Sequence, residues 1–113
     1  MNIEQRIAIE KRMIRKLIRA AKAHGYKVTK IWDGEQMERV STETEAMALV
    51  FNLDECRIYF KRDDQPKAHC AVIVLGNDGW DAIADCSMGE GWDDVMDAMN
   101  DYSDKLCEEC VSA

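Results

Sequence analysis

The segment YKVTKIWDGEQMERV, residues 26–40, decides the fold class. Residues 26–32 alternate in polarity and are rich in β-branched and aromatic side chains, which predicts a strand. Asp33-Gly34 is a strong signal for a two-residue hairpin turn, so residues 35–40 are predicted to return as a second strand. The hairpin makes an antiparallel sheet the expected framework of this chain of 113 residues.

Residues 3–24, before the hairpin, predict one long amphipathic helix. Apolar and basic side chains recur on opposite faces of this segment at 100° per residue. His24 and Gly25 supply the stop, since glycine readily takes the left-handed position after a last helical turn. The apolar stripe contains Ile3, Ile7, Ile14, Leu17, Ile18 and Ala21. The basic face contains Lys11, Arg12, Arg15, Lys16, Arg19 and Lys22.

The rest of the chain predicts a short helix, three strands and a last helix. Thr42 can cap the short helix, and Glu45 can complete a capping box. Strands are predicted at 56–61 and 69–75, residues 80–86 are a fifth strand or a short helix, and the last helix is predicted at 91–106. Strand 69–75 is apolar on both faces and should be central. The order αββαβββα predicts a single α+β domain over residues 1–113. In it an antiparallel four- to five-stranded meander packs against a long N-terminal and a C-terminal helix.

Charge is divided unevenly along the chain. The formal net charge is −7, yet residues 1–30 carry a net +7 and residues 31–113 a net −14. The acidic balance argues against nucleic acid and membranes as partners. The sequence shows no secretory signal and no apolar run of membrane-spanning length, so we expect a cytoplasmic protein. Its five cysteines are then expected to be reduced thiols.

The first helix departs from a simple amphipathic pattern in two ways. Glu10 sits inside the apolar stripe, and Ile9, Met13 and Ala20 widen that stripe beyond the needs of one contact surface. A homodimer contact through this helix is one explanation. A helix end that leans out into water is the other.

Acidic side chains form a row on the last predicted helix, opposite its apolar stripe. Like charges three or four residues apart weaken a helix by ~0.2 to 0.5 kcal/mol per pair, so a nearby counter-charge or a function is expected. The row can be a solvated face, a surface that docks onto the basic face of the first helix or onto another protein, or a mimic of a nucleic-acid backbone. We call this row the acidic ridge: Glu90, Asp93, Asp94, Asp97, Asp101, Asp104 and Glu108.

Tryptophan side chains at the edge of the ridge complete the predicted site. Each lies beside Asp and Gly near the end of an element, which favours a half-buried position at the edge of the core. The alternative is an exposed anchor for a partner, in which Trp92 or Trp80 would supply apolar contact beside the carboxylates. The predicted partner-binding residues are Asp93, Asp94, Asp97, Asp101, Asp104, Glu108, Trp92 and Trp80. Cys107 and Cys110 have the two-residue spacing of a zinc chelate, but a structural zinc site usually needs four ligands. No metal, cofactor or catalytic residue is predicted.

Several segments together resemble a type of small protein carried by tailed phages and prophages of proteobacteria. They are MNIEQRIAIEKRMIRKLIRAAKAHGYKV (1–28), DGE (33–35), STETEAM (41–47), IYF (58–60) and VLGNDGWDAIADCS (74–87). The resemblance implies a phage-borne accessory protein in a bacterial cytoplasm and brings no enzymatic activity. The segregated charge, in a sequence without a catalytic constellation, makes protein–protein binding the expected function, and host takeover or anti-defence by the acidic surface is one purpose that such binding could serve. The alternative is a homodimeric structural or assembly component.

Overall fold

The computed structural model describes residues 2–112 and shows an α+β fold in the predicted order αββαβββα. The three helices lie on one face of a five-stranded sheet. Their bounds are α1 Ile3–Ala23, α2 Glu43–Val50 and α3 Trp92–Ser112. The strands are β1 Lys27–Trp32, β2 Met37–Arg39, β3 Glu55–Lys61, β4 His69–Val74 and β5 Ile83–Cys86.

Helix α1 has well-formed ends. Asn2 caps its start, accepting the N–H of Gln5 at 2.8 Å, while the Gln5 side chain accepts the N–H of Asn2 at 2.9 Å. Such a reciprocal pair satisfies two backbone donors that the first turn leaves free. Gly25 follows the last turn at φ 87°. The predicted span of this helix is confirmed to within one residue.

The sheet is antiparallel throughout, in the order β2-β1-β3-β4-β5. The first hairpin places β2 at one edge. The chain then passes through α2 and returns so that β3 pairs with the other side of β1. The hairpins β3–β4 and β4–β5 complete the sheet, and β5 forms the second edge.

The first turn lies one residue later than predicted. Trp32 pairs with Met37, and the N–H of Asp33 donates to the carbonyl of Gln36, so Gly34 and Glu35 are the central residues. Gly34 has φ 104°, which suits a glycine at the first central position. The Asp33 carboxylate instead accepts two backbone N–H groups at 2.8 Å, which lowers its pKa. Strand β2 consequently spans three residues instead of the predicted 35–40.

Two further predictions about the strands need correction. Strand β5 begins at Ile83, not residue 80, because the loop with Gly76 and Gly79 at positive φ occupies the preceding residues. Strand β4 is not buried on both faces. Ala71 and Ile73 are buried, whereas alternate side chains are only half-buried, because the helices cover one face of the sheet.

The width of the α1 stripe is explained within one chain. Helix α1 contacts α3 on one flank and α2 on the other while lying over the sheet. Ile9, Met13 and Ala20 are therefore buried, and the interpretation of these side chains as a homodimer surface is wrong. Helix α1 needs a wide apolar stripe because three elements pack against it.

Glu10 is also buried in the monomer, at 2% exposure. Its carboxylate accepts the N–H of Gly76 at 2.7 Å and lies 3.6 Å from Nε of Arg6. A buried carboxylate requires such partners, because desolvation without them is costly. Glu10 thus attaches the β4–β5 loop to α1.

Candidate functional site

The acidic ridge lies on the outer surface of the helical layer. Glu90 precedes α3, and the other six ridge residues lie on the helix itself. All seven side chains are exposed. Asp93 also accepts the N–H of Gly89 at 3.2 Å, close to the start of α3, where a negative charge is favourable.

The ridge is not neutralised by the basic face of α1. Arg12 pairs with Glu109 of α3 at 3.4 Å, but Glu109 lies outside the ridge. Arg19 pairs with Glu43 of α2 at 2.8 Å, and these contacts raise the pKa of the Arg19 guanidinium. Within residues 2–112, none of the ion pairs includes a ridge carboxylate. The docking of the ridge onto α1, one of the predicted alternatives, is therefore wrong.

Trp92 does not lie at the surface. It is fully buried, in edge-to-face contact with Tyr26, tilted against Phe60 and stacked on the imidazole of His69. The prediction that its ring contacts a partner is wrong, because β1, β3 and β4 converge beneath the first turn of α3. The other interpretation of Trp92, as a residue at the edge of the core, is closer to this outcome.

Trp80 is half-buried and lies beside α3. Its carbonyl accepts the Ser103 hydroxyl at 2.6 Å, which attaches the β4–β5 loop to the middle of α3. Together with Met96 and Met99 it lines a groove of about 430 Å³ between α3 and β5. Asp97, Asp101 and Asp104 are close to this groove in sequence. We call this space the methionine groove; Met96 and Met99 are buried at its base, and the half-buried Trp80 lies beside it.

The cysteines that the structure describes are free thiols. Among the residues that the structure describes, no group of three or more His, Cys, Asp and Glu side chains is placed to hold a metal ion. Burial raises the pKa of Cys56 to about 12, so its thiol stays protonated. Cys107 and Cys110 are half-buried on the last turns of α3.

A second surface, which the sequence-based prediction missed, is the sheet face that points away from the helices. Trp32 and Tyr59 lie on it, next to Lys30 and Arg57. The sequence contains a signal for this surface, because in both β1 and β3 a cation and an aromatic residue are two positions apart and therefore lie on the same face of the strand. Only the pairing of the two strands shows that they form one patch.

Comparisons with known proteins return no relative of this chain. No protein-family model matches the sequence, and neither a curated protein nor a solved structure matches it. The resemblance to phage-borne proteins therefore stays a prediction. Within residues 2–112, no helix combines the length and apolar character needed to cross a membrane.

Proposed function

We propose that this protein is a non-enzymatic binding protein that docks onto a basic surface of another protein through the acidic ridge. The observation that carries the proposal is the state of the seven ridge carboxylates, which are exposed and make no ion pair among residues 2–112. A row of like charges weakens a helix unless a partner supplies the opposite charge.

The methionine groove supports the same proposal. Protein interfaces combine a desolvated apolar centre with a polar rim, and aromatic residues and methionine are enriched in them. Trp80, half-buried at the flank of α3, provides apolar surface there, whereas Met96 and Met99 are buried at the base of the groove. Of the two predicted tryptophans, Trp80 is the one that remains accessible to a partner, because Trp92 is buried.

The resemblance to phage-borne proteins makes a bacterial host protein the proposed partner. Carboxylates one helical turn apart lie about 5–6 Å from each other, comparable to the phosphate spacing along a nucleic-acid strand. The ridge is therefore suited to the basic cleft of a nucleic-acid-binding protein. Blocking such a cleft would serve host takeover or anti-defence.

The homodimeric alternative was based on the width of the α1 stripe. The side chains that widen this stripe are buried in the monomer, so they do not support a dimer contact. Light scattering tests it directly. We expect a particle of 12.9 kDa, and a stable particle of twice that mass would restore the dimer.

Partner capture from bacterial lysate tests the ridge. In the ridge variant, Asp97, Asp101 and Asp104 are changed to Asn. The control carries Glu35→Gln, Asp63→Asn and Asp78→Asn, which remove the same charge from exposed loop positions. We expect the ridge variant to lose the partner and the control to keep it. Equal recovery by both variants, with both folded by circular dichroism, would remove the ridge as the contact.

A further inference from the structure

The open face of the sheet, which the helices leave uncovered, differs in character from the rest of the molecule. Side chains of a strand alternate between the two faces. The face beneath the helices carries buried Ile31, Ile58, Phe60, Ala71 and Ile73. The open face carries half-buried Trp32, Tyr59, Cys70, Val72 and Val74.

Aromatic and basic side chains alternate across β1 and β3 on the open face. Trp32 pairs with Arg57, and Lys30 pairs with Tyr59, so the two rings are diagonal neighbours. Diagonal neighbours in an antiparallel pair lie about 7–8 Å apart. At the adjacent edge, Arg39 of β2 pairs with Lys30. The centre of the face therefore carries two rings, each beside a cation.

The cations of the open face outnumber its carboxylates. Lys30, Arg39 and Arg57 are exposed, and among residues 2–112 none of them makes an ion pair or a cation–π contact. The strands place two carboxylates on this face, Glu55 and Asp85. The open face is therefore a basic surface on an acidic protein.

A groove continues this basic surface around the sheet edge. Two adjoining cavities of about 690 and 660 Å³ share Lys27, Val28 and Ser41 as lining residues. The carboxylates in the groove are already engaged, Glu43 with Arg19 and Glu45 with the hydroxyls of Ser41 and Thr42. Besides Arg19, which is paired with Glu43, the cations that line the groove are Lys22, Lys27, Lys30 and Arg39.

We propose that the open face binds single-stranded nucleic acid. The cations of the groove and of Arg57 would contact successive phosphates, while unpaired bases stack on Trp32 and Tyr59. Proteins that bind single strands combine these two elements, a basic groove along the backbone and aromatic side chains under the bases. A duplex keeps its bases stacked on one another, and an acidic peptide has no flat ring to stack, so neither would use the tryptophan and the tyrosine.

The net charge of −7 does not prevent this binding. The acidic ridge lies on the far side of the helical layer, and the thinnest dimension of the molecule is 21 Å. Charges separated by more than a Debye length, about 8 Å at 0.15 M salt, are largely screened. The open face is also separate from the ridge, so this proposal does not depend on the proposed function.

Fluorescence anisotropy with labelled 15-nucleotide dT and rU strands tests the proposal. The comparison ligands are a duplex of the same length and a polyglutamate peptide. We expect the single strands to bind at least tenfold more tightly than either comparison ligand. For three to four phosphate contacts the affinity should fall about 20- to 50-fold between 50 and 200 mM salt, because the slope is about −0.7 per contact.

Matched variants separate stacking from charge. Trp32→Ala and Tyr59→Ala should each weaken binding about tenfold, since stacking contributes ~1–3 kcal/mol per base. Trp32→Phe keeps a ring and should retain most of the affinity. Lys30→Gln combined with Arg57→Gln should reduce the salt slope. Arg12→Gln combined with Lys16→Gln, which removes two charges from α1, is the control.

Three outcomes would overturn the proposal. Equal affinity for polyglutamate would assign the face to an acidic protein segment. Equal affinity for the duplex would show that the face binds polyanions without preference for single strands. The same conclusion would follow if neither aromatic variant, in a folded protein, changed the affinity. Absence of single-strand binding at 50 mM salt would remove it as a nucleic-acid site.

Discussion

Replacement of Trp92 tests whether this residue belongs to the core or to a binding surface. Its side chain is fully buried against Tyr26, Phe60 and His69. A tryptophan buries about 150–250 Å², which at ~25 cal/mol per Å² corresponds to about 4–6 kcal/mol as an upper limit. Large-to-small substitutions of this type cost ~3–5 kcal/mol. We therefore expect Trp92→Ala to lower the free energy of unfolding by about 4 kcal/mol.

The indole N–H of Trp92 allows a second test at the same position. The indole N–H of Trp92 is buried and has no hydrogen-bond partner among the described residues. A buried donor of this kind costs ~1–3 kcal/mol. Trp92→Phe removes that donor while keeping one ring, so we expect it to cost only about 1 kcal/mol.

Urea unfolding followed by far-ultraviolet circular dichroism measures both variants. The control is Trp80→Ala, where the half-buried ring should cost less than Trp92→Ala. At this chain length 1 kcal/mol corresponds to about 4 °C in Tm, so Trp92→Ala should melt about 15 °C lower. A loss below 1.5 kcal/mol for Trp92→Ala would refute the core assignment. A larger loss for Trp92→Phe than for Trp92→Ala would refute the argument from the unpaired N–H.

Three other perturbations address the β4–β5 loop and the aromatic cluster. Glu10→Ala should cost about 2 kcal/mol in thermal unfolding, because it leaves the Gly76 N–H without its acceptor and Arg6 without its counter-charge. Glu10→Gln should cost under about 1 kcal/mol, and equal losses for the two variants would contradict this reasoning. Gly79→Ala should destabilise more than Gly34→Ala, since both have positive φ but only at Gly79 would a Cβ meet Ile9, at 2.7 Å. Equal Tm values would contradict that reasoning. Burial lowers the pKa of the His69 imidazole. The negative charge of Asp93 opposes this shift, and the positive charge of Arg62 adds to it. The imidazole of His69 is then protonated at a higher pH in the unfolded chain than in the folded protein. The free energy of unfolding should therefore fall as the pH drops below about 6.5, the ordinary pKa of histidine. His69→Phe should flatten that fall in Tm between pH 7.5 and 5.5, and His24→Gln, at an exposed position, should not.

The elements of this fold are visible in the sequence because they depend on local patterns. The α1 periodicity predicts the helix to within one residue, and Thr42 caps α2 as expected, accepting the N–H of Glu45 at 3.1 Å. The Asp-Gly signal placed the first hairpin correctly and its turn one residue early. That shift arises from the Asp33 side chain, which accepts two backbone N–H groups and moves the turn onto Gly34.

The candidate site was predicted in part for the same reason. Spacing along a helix places the ridge carboxylates on one face, and the structure exposes all of them. The same spacing could not show that Trp92 is covered by three strands. It also could not show that the basic face of α1 is engaged elsewhere, through Arg12 and Arg19.

By itself the sequence determined the number, type and order of the elements, since hydrophobic period, caps and turn residues act over a few positions. The tertiary structure alone decided which surfaces remain free. The α1 stripe became interior because α2 and α3 flank it, and the open face became basic and aromatic because β1 and β3 pair in one register. These outcomes depend on contacts between residues distant in sequence, and no local pattern encodes which partner covers a given face.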